Sequence, residues 1–173
     1  MRIFKKKHRT DTETQDNGAR LVTFVEPKHV ISEQFRTLRT NIEFAGAALP
    51  KLQVVMFTSA EMSDGKSTVS ANVAVTWAQA GKSVLYVDAD LRRPTAQSTF
   101  DLMNRQGLTT ILAADAQPRD IVQPTFVENL EVLTSGPVPP NPAELLSSAR
   151  MKSLVEWMRR NYDVVVFDVP PVM

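Results

Sequence analysis

Phe57-Thr58-Ser59-Ala60-Glu61-Met62-Ser63-Asp64-Gly65-Lys66-Ser67-Thr68 joins an apolar run to a helix-forming stretch through a loop suited to phosphate. Within it, Ala60-x-x-x-x-Gly65-Lys66-Ser67 lets the backbone N–H groups of Ser63, Asp64, Gly65, Lys66, Ser67 and Thr68 cradle phosphate oxygens. The Lys66 ammonium reaches the β/γ-phosphates, and the Ser67 hydroxyl is a candidate ligand for Mg²⁺. The flanks fit the motif. Leu52-Gln53-Val54-Val55-Met56-Phe57 reads as a buried strand, and Ser67 to Ala80 reads as a helix stopped by Gly81.

The totals describe an ordinary globular chain. It has 173 residues, 43% hydrophobic and 23% charged, enough for one domain with a substantial core. A net charge of +1 argues against nucleic acid as a partner. The positive charge gathers at the start, where Arg2, Lys5, Lys6, Lys7 and Arg9 precede a polar, unpatterned stretch to Arg20. Residues 1–28 are therefore expected to be a flexible basic arm able to rest on an anionic membrane surface or an acidic partner. The absence of cysteine excludes disulfides, thiol catalysis and thiolate metal sites, and is compatible with a reducing cytoplasm. No apolar stretch approaches the roughly 18 residues that span a bilayer, so membrane contact is expected to be peripheral.

Outward from the loop, Val30 to Phe44 places Ile31, Phe35, Leu38 and Ile42 at helical spacing, an amphipathic helix. Glu33, Arg36 and Arg39 share its flank, where they pair internally or meet a neighbouring molecule. Strands are expected at 52–58, 83–88, 130–134 and 163–168, with helices between them. Apolar runs without alternation, separated by helices, predict a mostly parallel sheet covered on both faces, an α/β three-layer sandwich. Pro- and Gly-rich 135–142 is expected as a rigid loop, Asn141-Pro142 capping the helix that follows. That helix, Ala143 to Asn161, is expected in two pieces broken near Ser147-Ser148. The chain stops just past its fourth strand, which is expected to leave that strand an uncovered edge and suggests C-terminal truncation. The domain is accordingly drawn over 29–173.

Two further strands end in acid. Val84-Leu85-Tyr86-Val87-Asp88-Ala89-Asp90 delivers Asp88 and Asp90 to the C-terminal sheet edge, where ligands bind in open α/β sheets. Val164-Val165-Val166-Phe167-Asp168 delivers Asp168, placed to hold the Mg²⁺ shell. One hydroxyl, one or two carboxylates and phosphate oxygens form a sensible Mg²⁺ set, with Ser67, Asp88 and Asp168 as the protein's candidates. Asp163 is expected at the surface, away from this chemistry, and Tyr86 and Tyr162 in or beside the core.

These motifs, with Glu33-x-x-Arg36-x-x-Arg39-Thr40-Asn41 and Gly136-Pro137-Val138-Pro139-Pro140-Asn141-Pro142-Ala143-Glu144-Leu145-Leu146, resemble the bacterial tyrosine kinases of capsule and exopolysaccharide synthesis. The resemblance runs from about Glu33 to Pro171. It implies a cytoplasmic kinase, peripheral to the inner face of the cell membrane, that transfers the γ-phosphate of ATP to protein tyrosine, autophosphorylates and regulates polysaccharide chain length. It also implies a membrane-embedded polysaccharide co-polymerase as activator, and a homo-oligomeric ring assembled through Glu33, Arg36 and Arg39. By the same resemblance Lys66 binds phosphate, Ser67 and Asp168 hold Mg²⁺, Asp88 and Asp90 orient the metal, and Asp90 is the base for the tyrosyl hydroxyl.

The chain departs from that family at Met62-Ser63-Asp64, where Pro-Gly-Glu is common, so serine takes a position suited to glycine at φ > 0. The family's tyrosine-rich tail is also not in this sequence. A partitioning or septum-type ATPase is the alternative within the fold, but its extra lysine near the loop's start is missing from Ala60-Glu61-Met62-Ser63. A non-catalytic regulatory scaffold of a polysaccharide export complex is the alternative outside enzymes. A eukaryotic-type kinase lacks support, since none of its glycine-loop, His-Arg-Asp or Asp-Phe-Gly segments occurs.

Overall fold

Apolar strands alternating with helices fold here as the sequence predicts, but in a strand order that the sequence does not disclose. A computed structural model of the chain describes residues 18–48, 50–114 and 116–172. In chain order the principal elements are α1 (Val22–Val25), α2 (Val30–Ala45), β1 (Val54–Phe57), α3 (Lys66–Gln79), β2 (Val84–Asp88) and α4 (Ala96–Phe100). There follow α5 (Leu108–Ala113), α6 (Pro118–Ile121), β3 (Gln123–Pro124), β4 (Leu130–Leu133), α7 (Pro142–Leu146), α8 (Ala149–Asn161) and β5 (Val164–Asp168). The five strands stand in the order β1-β5-β2-β4-β3. All neighbours run parallel except β3, which pairs antiparallel with β4.

The order corrects one expectation. The final strand, β5, is interior, hydrogen-bonded to β1 on one side and β2 on the other, and all five of its residues are buried. The edge strands are β1, whose Met56 is 65% exposed, and the two-residue β3. Chain order and sheet order part here because a parallel connection returns over the sheet through a helix, which lets β5 insert between the first two strands.

Because successive side chains on a strand point to opposite faces, β2 and β5 each feed two cores. Val84, Tyr86, Val164 and Val166 pack with Trp77 and Val73 of α3, against which Phe35, Leu38 and Ile42 of α2 lie. Leu85, Val87, Val165 and Phe167 face the other way, toward Leu108 and Ile111 of α5 and Leu154 and Met158 of α8. The helix α2 stripe is shorter than its spacing suggests, since Ile31 stays 38% exposed. The expected break in the long helix is real, and Ser148 caps α8 by accepting from the Met151 N–H. Asn141 sits at the α7 N-cap, but its side-chain amide donates to Glu144 rather than capping the backbone.

The flexible arm expected through residue 28 does not extend over its last third. Ala19, Leu21 and Val22 are buried, and Leu21 joins the α3 core. Three apolar residues in four give no periodic signal, yet they suffice to seat the chain. Residues 1–17, with the basic cluster, lie outside the described residues. Among the described residues no helix is long and apolar enough to cross a membrane. Asp163 is at the surface as expected, and it accepts from the Ser83 N–H at 3.0 Å, tying the starts of β5 and β2 together. That N–H and the Ser83 hydroxyl hold its carboxyl below the usual aspartate range.

Candidate active site

In a parallel sheet all C-terminal strand ends share one rim, so the loops after β1, β2 and β5 converge there. The interior place of β5 puts Asp168 between the phosphate loop on one side and the Asp88–Asp90 segment on the other. In the register, Asp168 pairs with Phe57 and with Asp88. The Lys66 ammonium closes over this group, with Nζ 2.6 Å from Asp168 Oδ1 and 3.7 Å from Asp90 Oδ2. Above them is a cavity of about 530 Å³ whose lining includes Gly65, Lys66, Ser67, Thr68, Asp90 and Arg92. It is large enough for a nucleotide.

The loop geometry follows from two positive-φ residues. Gly65, at φ +79°, is the N-cap of α3 and turns the chain so that the first-turn N–H groups face the cavity. Ser63 adopts φ 72°, the left-handed conformation that glycine enters most easily. The loop is thus kept, at the cost of local strain. Asp64 steadies it by accepting from the Glu61 N–H at 3.0 Å. Replacing Ser63 with glycine should relieve about 1 kcal/mol. Ser63→Gly is expected to raise the urea midpoint with an unchanged slope; a lower midpoint would place the strain elsewhere.

Asp88 and Asp90 divide their work. Asp88 is wholly buried, and its two oxygens accept from the backbone N–H groups of Asp90 (3.2 Å), Thr95 (2.8 Å) and Ala96 (2.9 Å). Asp88 therefore shapes the loop that presents Asp90. Burial pushes its carboxyl up to about 7, reinforced by Asp168 and Asp90 and opposed by the Ala96 and Thr95 N–H groups. A folded-state value above the unfolded one means that the folded chain holds the extra proton between them. The associated stability is full below about 4 and is lost as pH rises to about 7. The urea midpoint of the ligand-free chain should fall over that window, and Asp88→Asn should flatten the fall; an equal slope in the variant would contradict this.

The site's oxygen donors fit a hard divalent cation. Asp168 Oδ2 is buried without a hydrogen-bond partner, an orphaned acceptor at the C-terminal end of β5. Ser67 Oγ lies 3.4 Å from Lys66 Nζ, a weak contact that leaves it available. Among the described residues no three His, Cys, Asp or Glu side chains enclose a metal. Beneath Ser67 runs a relay of hydroxyls: Ser70 donates to the Ser67 carbonyl at 3.2 Å, and Tyr86 OH meets Ser70 Oγ at 3.0 Å. Burial, with Asp168 and Asp88 nearby, pushes the Tyr86 phenol well above its ordinary value.

The AAA domain family matches residues 53–173. The tyrosine-protein kinase YwqD of Bacillus subtilis is 48% identical over 163 residues, 92% of this chain and 68% of YwqD. The chain belongs to the bacterial tyrosine-protein kinase family. The putative tyrosine-protein kinase CapB of Staphylococcus aureus is 43% identical, over 85% of this chain and 64% of its own length. Among solved structures, the chimerical protein CapA2B2 superposes with a TM-score of 0.84 at 39% identity, covering 94% of this chain and 75% of that one. The septum-site protein MinD of Pyrococcus horikoshii, solved with Mg-ADP, stands further off at 26% identity and a TM-score of 0.59.

Within this family frame the sequence-predicted residues separate into two groups. Lys66, Ser67, Asp88, Asp90 and Asp168 come together at the rim. Glu33, Arg36 and Arg39 lie away from it on α2: Arg36 pairs with Glu33 and donates to the Pro27 carbonyl, while Arg39 donates to the Thr76 carbonyl of α3 at 2.8 Å. Sequence reasoning missed Gly18, Ala19, Arg20 and Thr95, which also line the cavity. Their side chains carry no motif, and only tertiary packing brings residue 19 to residue 99.

Proposed function

We propose that this chain is an ATP-dependent protein-tyrosine kinase of capsule or exopolysaccharide synthesis. One observation carries the reading: Lys66, Asp90 and Asp168 meet in a single ion-paired cluster beneath a nucleotide-sized cavity. Lys66 leaves its carboxylates for the β- and γ-phosphates of ATP, and the α3 N–H groups hold the remaining phosphate charge. Ser67 and Asp168 would hold Mg²⁺, Asp168 through its orphaned oxygen; when bound, the ion neutralises charge between the β- and γ-phosphates. Asp88 keeps the Asp90 loop in place. Asp90 accepts the tyrosyl proton as the phenol oxygen bonds to the γ-phosphorus and the bond from that phosphorus to the bridging oxygen breaks, releasing ADP.

By the family resemblance the kinase would work beside the inner face of the cell membrane, with a membrane-embedded co-polymerase as activator and the Glu33–Arg36–Arg39 face of α2 as its ring contact. Its acceptors are tyrosines of other protein segments, because Tyr86 is buried and Tyr162 is half-buried with its hydroxyl on Glu131. The test is incubation with γ-labelled ATP, Mg²⁺ and a tyrosine-bearing peptide. Label on tyrosine supports the kinase; free phosphate without labelled tyrosine would favour the ATPase, and no turnover a scaffold.

A further inference from the structure

The cavity has a wall that no phosphate-loop motif supplies. Gly18, Ala19 and Arg20, just ahead of α1, line it alongside Lys66 and Asp90. Gly18 lies directly on the α4 backbone: with φ +71°, a Cβ there would sit 2.4 Å from the Ser98 carbonyl oxygen and 2.5 Å from Thr99 Cα. Only glycine permits that approach. The Ala19 N–H then donates to Thr99 Oγ1 at 2.9 Å, and the Thr99 hydroxyl donates to the Thr95 carbonyl at 2.9 Å. Thr95 is the residue whose N–H binds Asp88, so this wall leans on the segment that presents Asp90.

A buried clamp on α3 holds the other side. Asn72, with no exposed surface, donates from Nδ2 to the carbonyls of Arg20 and Thr68, each at 2.8 Å. Its Oδ1 accepts from the Thr23 N–H at 3.0 Å and the Thr23 hydroxyl at 2.8 Å. Thr68 belongs to the first turn of α3, where the phosphate-binding N–H groups originate. One step further along the chain, the buried Ser32 hydroxyl of α2 donates to the Glu26 carbonyl at 2.7 Å. A fully satisfied buried polar network of this kind fixes position in a way that apolar packing does not.

We propose that residues 18–20, positioned by Asn72 and Thr99, belong to the nucleotide site, so that a bound nucleoside diphosphate holds them, and with them the start of α2, against the core. The inference rests on the nucleotide reading above and adds a coupling to it. Whatever nucleotide gains by seating this wall, a seated wall returns to nucleotide affinity, since linkage is reciprocal.

The test uses ADP with Mg²⁺ and reads amide hydrogen exchange together with affinity. ADP is expected to slow exchange at residues 19–26 beyond any change in α8, which packs on the opposite face of the sheet. Thr99→Val removes the acceptor for Ala19 while preserving shape, and should weaken ADP about threefold to tenfold, the worth of one hydrogen bond. Thr99→Ser should restore the affinity, which a loss of packing alone would not. Unchanged ADP affinity in Thr99→Val, or protection at 19–26 no greater than in α8, would overturn the proposal. If the wild-type chain binds no ADP, the nucleotide reading itself fails and this inference falls with it.

Discussion

Lys66→Met is expected to lower ATP affinity a hundredfold or more while leaving the helical circular dichroism unchanged. Methionine retains the length of the side chain and loses the charge. A charge-assisted hydrogen bond to phosphate contributes about 1.5–3 kcal/mol, and the lysine makes more than one such contact when it spans two phosphates. The variant has a second consequence in the ligand-free chain. The Lys66 side chain is only 8% exposed and Asp168 1%, so removing the lysine strands a carboxylate in the interior. An unpaired buried charge of this kind costs about 3–5 kcal/mol. Lys66→Met should therefore melt below the wild type. Fluorescence polarisation with a labelled ATP analogue and thermal melts of the ligand-free chain measure both effects. Equal nucleotide affinity in the variant would sink the phosphate-loop assignment.

Asp90→Asn separates chemistry from binding. Asp90 is 8% exposed, lines the cavity and accepts from the Arg93 N–H at 3.1 Å. Asparagine preserves that bond and the shape of the loop but cannot accept the tyrosyl proton. General-base catalysis is typically worth about 10²–10⁴ in rate. Transfer of label to a tyrosine peptide should fall by that much, while ADP affinity stays within a few-fold because Asp90 is not placed on the phosphates. Wild-type transfer in Asp90→Asn would hand the proton to another group. A parallel loss of ADP binding would show that Asp90 shapes the nucleotide site rather than the acceptor step.

The parts of this site that the sequence disclosed are those built by continuous segments. The phosphate loop is legible because a strand, a Gly-Lys-Ser turn and a helix follow one another in twelve residues, and geometry fixes where each group points. Asp88, Asp90 and Asp168 are legible as strand ends because parallel strands place their C-terminal ends on one rim. Ser63 is legible only through the family resemblance, which marks its position as one suited to glycine, and serine adopts φ 72° there.

What stayed hidden depends on contacts between distant segments. The β1-β5-β2 order leaves no local trace, so the last strand reads as an edge although it is central and fully buried. Strand β3 is two residues long, too short to carry an alternation. The division of labour between Asp88 and Asp90 appears only when the N–H groups of Thr95 and Ala96, seven and eight residues further on, turn back to the Asp88 carboxylate. The Gly18–Arg20 wall reaches its partner across 80 residues, and nothing in its composition announces the contact. The flank of α2 is an intermediate case. Its three charges share a face as their spacing requires, yet Arg39 is spent on the α3 backbone and Arg36 on Glu33 and Pro27 within the same chain.

The central claim is that Lys66, Ser67 and Asp168 form one site for a magnesium nucleotide. Calorimetric titration of ADP into the wild-type chain, with Mg²⁺ and again with excess chelator, tests it most directly. The account predicts one site per chain, an affinity at least tenfold higher with Mg²⁺, and loss of that Mg²⁺ dependence in Asp168→Asn. No binding, or binding that ignores both Mg²⁺ and the Asp168 substitution, would contradict it.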